Sequence, residues 1–251
     1  MSIRNLAPAL NEAAAGRSQA EAAYQRLRGE ILHGELMPGA KLRAAELQDS
    51  FELGLTPIRE ALMRLTAEGL VVTESHRGAR VAEITAEGLA DLMQTRRDLE
   101  RLCLPRAIER GDESWEAEIV AALHLLTRTP LPGPEAGRDA VTLWETRHRR
   151  FHLALVGACG SEWLLRFWHS LADHAERYRK ARLSHYHEEA AALREDAARA
   201  RDMNENHARI ADAVLARDAS RATALMDAHL GDTERAVARL LAGTERRALP
   251  G

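Results

Sequence analysis

Four of the 11 histidines in the chain are spaced to act together. His148 and His152 are four residues apart on one strongly helical segment, so both rings project from a single face. His207 and His229 are 22 positions apart, one on each of the last two expected helices. An antiparallel helical pair brings such residues level, so all four rings can converge inside a bundle. Neutral imidazole there suits a divalent transition metal such as zinc, nickel, cobalt or copper. A lone histidine is more often a surface or core residue, so the weight rests on the four-residue constellation.

A second chemistry sits near the other end. Arg59 falls in the first turn of an expected helix that Thr56 can cap and that Pro57 suits at its first position, where a missing N–H costs nothing. A guanidinium at a helix start can reach guanine O6 and N7 together in the major groove. Thr56 and the N–H groups around Pro57 are placed for a phosphate. Arg43, at the start of the preceding helix, and Arg77 with Gly78, at a turn further on, are additional candidates. Arg64 lies one turn beyond Arg59 and serves contact or structure equally well. For each arginine the plainer alternative is a solvated surface charge.

The elements that position these groups fall into two sets. Tyr24, Leu27, Ile31 and Leu32 recur at helical spacing and predict a helix over 19–33. Pro38-Gly39 makes a turn, and a short helix covers 44–51. The next helix buries Ile58, Leu62 and Leu65 and stops at Gly69. Segments 70–73 and 80–83 read as strands around the turn 76–78. Helix, helix, helix and hairpin make a winged helix-turn-helix, which places one helix end in a DNA groove. From Thr85 the apolar period is three to four throughout, predicting helices over 86–110, 113–127, 139–158, 161–183, 188–216 and 219–242. The expected fold is mainly α: a loose arm over 1–18, a winged unit over 19–84 and an all-α bundle over 85–245.

Composition sets outer limits. A chain of 251 residues, 45% hydrophobic and 29% charged, is ordinary for one large or two modest globular domains. No apolar run approaches the ~18 residues that span a bilayer, and the N-terminus lacks a signal-peptide core, so the expectation is a cytoplasmic protein without membrane partners. Net charge is −3, and residues 1–85 hold ten Lys and Arg against eleven Asp and Glu. DNA affinity must therefore come from one face rather than from bulk charge. Cys103 and Cys159 have no CxxC spacing and read as reduced, buried thiols.

The run PG-x-x-L, TPIREAL-x-RL-x-x-EGLV and RG-x-x-V resembles the GntR family of bacterial regulators. The family pattern is S-R-T-P-V-R-E-A-L, whose first arginine also contacts DNA. Gly54 and Leu55 stand at its Ser-Arg positions here, which removes one expected base contact, while Arg59 matches the second arginine. The C-terminal unit resembles the FCD ligand-binding domain of the FadR branch. Many such domains hold a metal through Asp-x-x-Phe-His and two later histidines. Here the segment reads His148-Arg149-Arg150-Phe151-His152, and His207 and His229 match the later ligands. Histidine in the aspartate place keeps a donor and removes a negative charge, which tilts the expected ion to zinc, with nickel next. Arg96, in Arg96-Arg97-Asp98-Leu99-Glu100, matches an R-x-x-L-E segment and would clamp a carboxylate bidentately; its alternative is a surface ion pair with Glu100. Where the family has an asparagine after the Phe-His helix, this chain has Ser161.

The resemblance implies a homodimeric transcription regulator, more often a repressor, that binds a palindromic double-stranded operator and responds to a small organic acid beside a metal. A metal-free pocket in which the histidines hydrogen-bond the acid is the alternative within the family. From another class, a histidine-rich metalloenzyme with an accessory winged domain is weighed against it. The helix HRRFH lacks the glutamate that follows the first histidine in HExxH proteases, and four protein donors suit a structural or effector-holding ion better than an open catalytic one.

Overall fold

The computed structural model describes residues 6–74, 78–133, 136–184 and 192–248. Among these residues the architecture is mainly helical with one small antiparallel sheet. The chain divides into two compact units, Met1–Ile84 and Thr85–Gly251.

The first unit contains α1 (Leu6–Leu32), β1 (Lys41–Leu42), α2 (Ala44–Phe51), α3 (Leu55–Ala67), β2 (Val71–Glu74) and β3 (Gly78–Val81). Ala23, Leu27 and Ile31 of α1 recur every four residues and bury against α3, which presents Ile58, Ala61 and Leu65. Fully burying side chains such as Leu27, Ile58 and Leu65 contributes about 1.5–3 kcal/mol each. The α2 helix ends at Glu52, in the left-handed region at φ 54°, and a short turn then starts α3. Gly69, at φ 72°, ends α3 in a conformation that only glycine adopts freely. This turn lets the Leu70 N–H donate to Leu65 O at 3.0 Å and sends the chain into the sheet.

The sheet order is β1-β3-β2, with Lys41 opposite Arg80 and Val71 opposite Val81. Strand β1 is an addition to the expected hairpin. Two residues are too short to show alternation, and the pairing is fixed by backbone: Gly39 N–H donates to Val81 O at 3.0 Å and Val81 N–H to Ala40 O at 2.9 Å. Three further differences concern helix ends. The α1 helix begins at Leu6, inside the segment expected to be a loose arm; its alanines favour helix without an apolar stripe to announce it. Gly54, not Thr56, is the N-cap of α3 and offers no side-chain cap. At the other end of the chain α9 runs past the expected residue 242 to Ala248.

The second unit contains α4 (Ala86–Arg110), α5 (Glu113–Thr127), α6 (Arg138–Val156), α7 (Glu162–Ser184), α8 (Ala192–Leu215) and α9 (Ala219–Ala248). Among the described residues four starts are capped by side chains, α7 by Ser161 Oγ, which accepts from Leu164 N–H at 3.3 Å, and α9 by Asp218 Oδ1, which accepts from Arg221 N–H at 2.9 Å. Thr85 Oγ1 accepts from Gly88 N–H at 3.0 Å, and Asp112 Oδ1 accepts from Trp115 N–H at 2.9 Å. The α4 helix packs against α6, α7 and α9, α5 against α6 and α8, and α8 against α9. The Trp115 indole N–H donates to Ala154 O at 2.7 Å and fixes α5 on α6. On α6 the buried positions include Trp144, Glu145, His148, Phe151, His152 and Leu155, which recur at a spacing of three and four. One inward stripe therefore carries both core residues and the first two histidines. Among the described residues no helix is long and apolar enough to cross a membrane.

Candidate metal centre and nucleic-acid interface

The inward stripe of α6 brings His148 and His152 beside His207 of α8 and His229 of α9. One ligand nitrogen from each ring lies within 4.8 Å of those of the others. His148 Nε2 and His152 Nε2 are 3.1 Å apart, and the His207 and His229 ring centroids are 4.7 Å apart. All four residues are buried, His207 completely. Trp144, one turn before His148, stacks on its ring with centroids at 4.6 Å and planes 18° apart. Phe151 meets the rings of His152 and His207 edge-on. These aromatic rings pack directly on the imidazoles.

Buried polar atoms ordinarily find partners. Here Nδ1 of His148, Nδ1 of His152 and both ring nitrogens of His207 are buried with no hydrogen-bond partner. Burial holds all four rings well toward the neutral form. The neighbouring histidines add to this at His148, His152 and His207, and Arg96 and Arg179 add to it at His229, which is pushed down to about 3. A neutral ring with an unused lone pair is what a borderline cation takes as a ligand. Four neutral imidazoles within reach of one point fit a divalent transition ion, and an all-nitrogen set suits zinc or nickel better than a hard ion.

Arg96, expected either in the pocket or on the surface, is 3% exposed. Its Nε lies 3.8 Å from Glu100 Oε1 and has no hydrogen-bond partner. Burial lowers its pKa to about 10, a reduction that Glu100 opposes, so the guanidinium stays charged at neutral pH. Glu100 is itself held by the Trp168 indole, which donates to Oε1 at 2.8 Å, and burial raises its carboxyl. A buried cation beside the histidines with an unused donor can take a carboxylate.

One member of the pocket escaped the sequence. Arg179 of α7 grips Glu145 of α6 by two bonds, Nε to Oε1 at 3.1 Å and Nη2 to Oε2 at 2.7 Å. Its positive charge depresses the basicity of His148, His207 and His229. Glu145 carries a legible signal, three residues before His148 on the same face. Nothing in the sequence marks Arg179 as its partner.

In the first unit Arg59 is exposed, with no hydrogen bond or ion pair to any described residue. Thr56 is exposed in the first turn of α3, while Pro57 is buried, so proline shapes the helix start rather than offering a contact surface. Arg43 is 65% exposed at the start of α2, and its Nη1 is 2.6 Å from Glu46. Arg64 lies 3.8 Å over the Tyr24 ring and donates to Glu21 at 2.6 Å, an arrangement that ties α3 to α1. Gly78 adopts φ 86° at the start of β3. Arg77 lies outside the described residues. Lys41 and Arg80, not singled out in the sequence, share with Arg43 and Arg59 the lining of a cleft of about 790 Å³. No sequence pattern marks them, because the pairing that sets Lys41 opposite Arg80 appears only in the fold.

The bacterial regulatory protein family gntR matches residues 19–81, and the FCD domain matches residues 91–232. The chain is 40% identical over 195 residues to the uncharacterized HTH-type transcriptional regulator BphR of Paraburkholderia xenovorans (strain LB400), covering 74% of this chain and 78% of that protein. It is 38% identical over 156 residues to the HTH-type transcriptional repressor GlaR of Escherichia coli (strain K12), covering 62% of this chain and 70% of that one. The solved structure of E. coli McbR/YncC superposes with a TM-score of 0.66 at 19% identity, over 85% of this chain and 94% of its own. A GntR transcriptional regulator from Rhodococcus sp. RHA1 does so with a TM-score of 0.65 at 22% identity, over 88% and 97%. At that identity the two structures speak for the fold, and the closer relatives speak for the activity, which is regulation rather than catalysis. The chain thus belongs to the GntR family of DNA-binding transcriptional regulators, in the FadR-like branch that joins the winged head to an FCD domain.

Proposed function

We propose that this regulator is a repressor whose hold on its operator is set by a small organic acid bound beside a metal in the FCD domain. The convergence of four buried, neutral, partly unpartnered imidazoles is the observation that carries this reading. His148, His152, His207 and His229 would hold the ion, zinc in the first place and nickel in the second. When bound, the metal supplies a Lewis-acidic point to which a carboxylate oxygen can bind. Arg96 would take the same carboxylate through its unused guanidinium donor, and Glu145 fixes Arg179 so that a second positive charge faces the pocket. Trp144 and Phe151 exclude water, which strengthens each of these attractions.

At the other end Arg59 would read a base edge from the start of α3, with Thr56, the backbone at Pro57, Arg43, Arg77 and Gly78 around the groove. Arg64 belongs among these only as the residue that sets the tilt of α3. One head makes few base contacts, so a homodimer on a palindromic operator doubles them. The acid must favour one arrangement of two heads over another, because only differential affinity shifts an equilibrium. That the relative GlaR is a transcriptional repressor supports repression as the activity here.

A melting-temperature screen of organic acids, run on metal-loaded and metal-stripped protein, tests this directly. An acid that stabilises only the loaded protein and weakens operator binding is expected. Stabilisation by the same acid irrespective of metal would favour direct hydrogen bonding by the histidines instead.

A further inference from the structure

The face that gathers Arg43 and Arg59 also carries a residue ill suited to water. Met63 is 71% exposed and follows Arg59 by four positions on α3, so the two side chains share one helix face. It lines the same cleft as Lys41, Arg43, Arg59, Gly78 and Arg80. The core does not use it: Leu62 and Leu65 on either side fill the inward positions at 7% and 0% exposure. A single exposed apolar side chain is ordinary in itself. Its setting is not, because positive side chains from α2, α3 and the sheet surround it.

That charge pattern selects the occupant. Lys41 and Arg80 stand opposite each other on β1 and β3, and Arg43 opens α2, so the cleft suits a polyanion with a regular backbone. In a DNA major groove the only apolar group on a base edge is the 5-methyl of thymine. An unbranched thioether on three rotatable bonds adapts to such a methyl without a fixed approach. We propose that Met63 is a specificity residue, packing its side chain on the 5-methyl group of a thymine adjacent to the base pair contacted by Arg59. This rests on the proposed groove contact of α3 and adds a second base position to it.

The test begins with the tightest duplex selected from a randomised library by the full-length protein. Each thymine in it is then replaced singly by deoxyuridine, which removes the methyl and leaves every hydrogen-bonding group. One replacement next to the Arg59-dependent base pair should weaken wild-type binding about fourfold, the worth of one buried methyl. Met63→Ala should bind the thymine and uracil duplexes equally, while Met63→Leu keeps the preference. Both variants should melt with the wild type, since the side chain is exposed. Equal binding of all thymine and uracil duplexes by the wild type, or a thymine preference surviving in Met63→Ala, would overturn the proposal. If Arg59→Ala selects the same duplex as the wild type, the groove contact itself fails and the Met63 contact falls with it.

Discussion

His148 Nε2 lies 3.1 Å from His152 Nε2 in the buried interior of the second unit, one helical turn apart on α6. Two neutral rings that close share a proton, or they turn both lone pairs to one cation. Their Nδ1 atoms are buried without partners, and the centre is completed by two more rings from α8 and α9. His152→Ala removes a donor from the middle of the set. Loss of a supporting group around a metal ligand costs about 10–100-fold in affinity, so loss of a ligand should cost at least as much. Zinc titration against a competing chelator measures it, and affinity within a factor of two of wild type would contradict the assignment.

The same burial makes the metal-free protein sensitive to acid. His229 has a folded pKa of about 3 because it is buried, with Arg96 and Arg179 adding to the effect, whereas an unfolded histidine titrates near 6.5. A folded value below the unfolded one gives stability that is whole above about pH 6.5 and is lost as pH falls toward the folded value. His148, His152 and His207 shift in the same direction. The resistance of metal-stripped protein to urea should fall as pH drops below about 6.5 toward 3, and His229→Gln should make that dependence shallower. A flat profile would mean that the rings are solvated.

Glu145 and Arg179 test whether the pocket's charge is deliberately balanced. Glu145 is buried and the Arg179 side chain is 11% exposed, and their bidentate pair joins α6 to α7. Glu145→Gln leaves Arg179 charged without its partner, which typically costs about 3–5 kcal/mol. Denaturant unfolding at neutral pH reads the loss. A change below about 1 kcal/mol would place Arg179 in water rather than in the pocket.

Arg96 separates acid binding from metal binding. Its guanidinium is 3% exposed and its Nε is unpartnered, yet it is not among the four converging donors. Arg96→Gln should keep metal content near the wild-type level while abolishing the melting-temperature gain from the best acid of the screen. Joint loss of metal and acid response would show that Arg96 supports the centre itself.

At the other end of the chain, Arg59→Ala should lose roughly 1–3 kcal/mol of discrimination at one base pair per half-site, with little change in nonspecific binding. Competition between the selected operator and the same duplex altered at that pair measures the loss. An unchanged ratio would remove Arg59 from the groove.

The helical periods were legible because apolar residues recur at three and four, as in Leu27, Ile31, Ile58, Leu62 and Leu65. The metal candidates were legible for the same reason: spacing on α6 places His148 and His152 on the stripe that also holds Phe151. What escaped is what depends on distant partners. Strand β1 exists through backbone pairing of Gly39 and Ala40 with Val81, which leaves no side-chain pattern. Arg179 looks like any helix arginine until α7 brings it to Glu145. Arg64 reads by sequence as contact or structure equally, and only the fold brings it to Tyr24 and Glu21 of α1. Thr56 had the chemistry of a cap, but the turn after Glu52 starts α3 two residues earlier and leaves the N-cap to Gly54.

The most direct test of the central claim is an operator titration of zinc-loaded protein, with and without the most stabilising acid, for the wild type and for His152→Ala/His207→Ala. The wild type should change affinity by about 5–150-fold on adding acid, the range of ordinary allosteric coupling. The double variant should bind the operator and ignore the acid. An equal response from both proteins would show that control of the operator does not pass through the histidine centre.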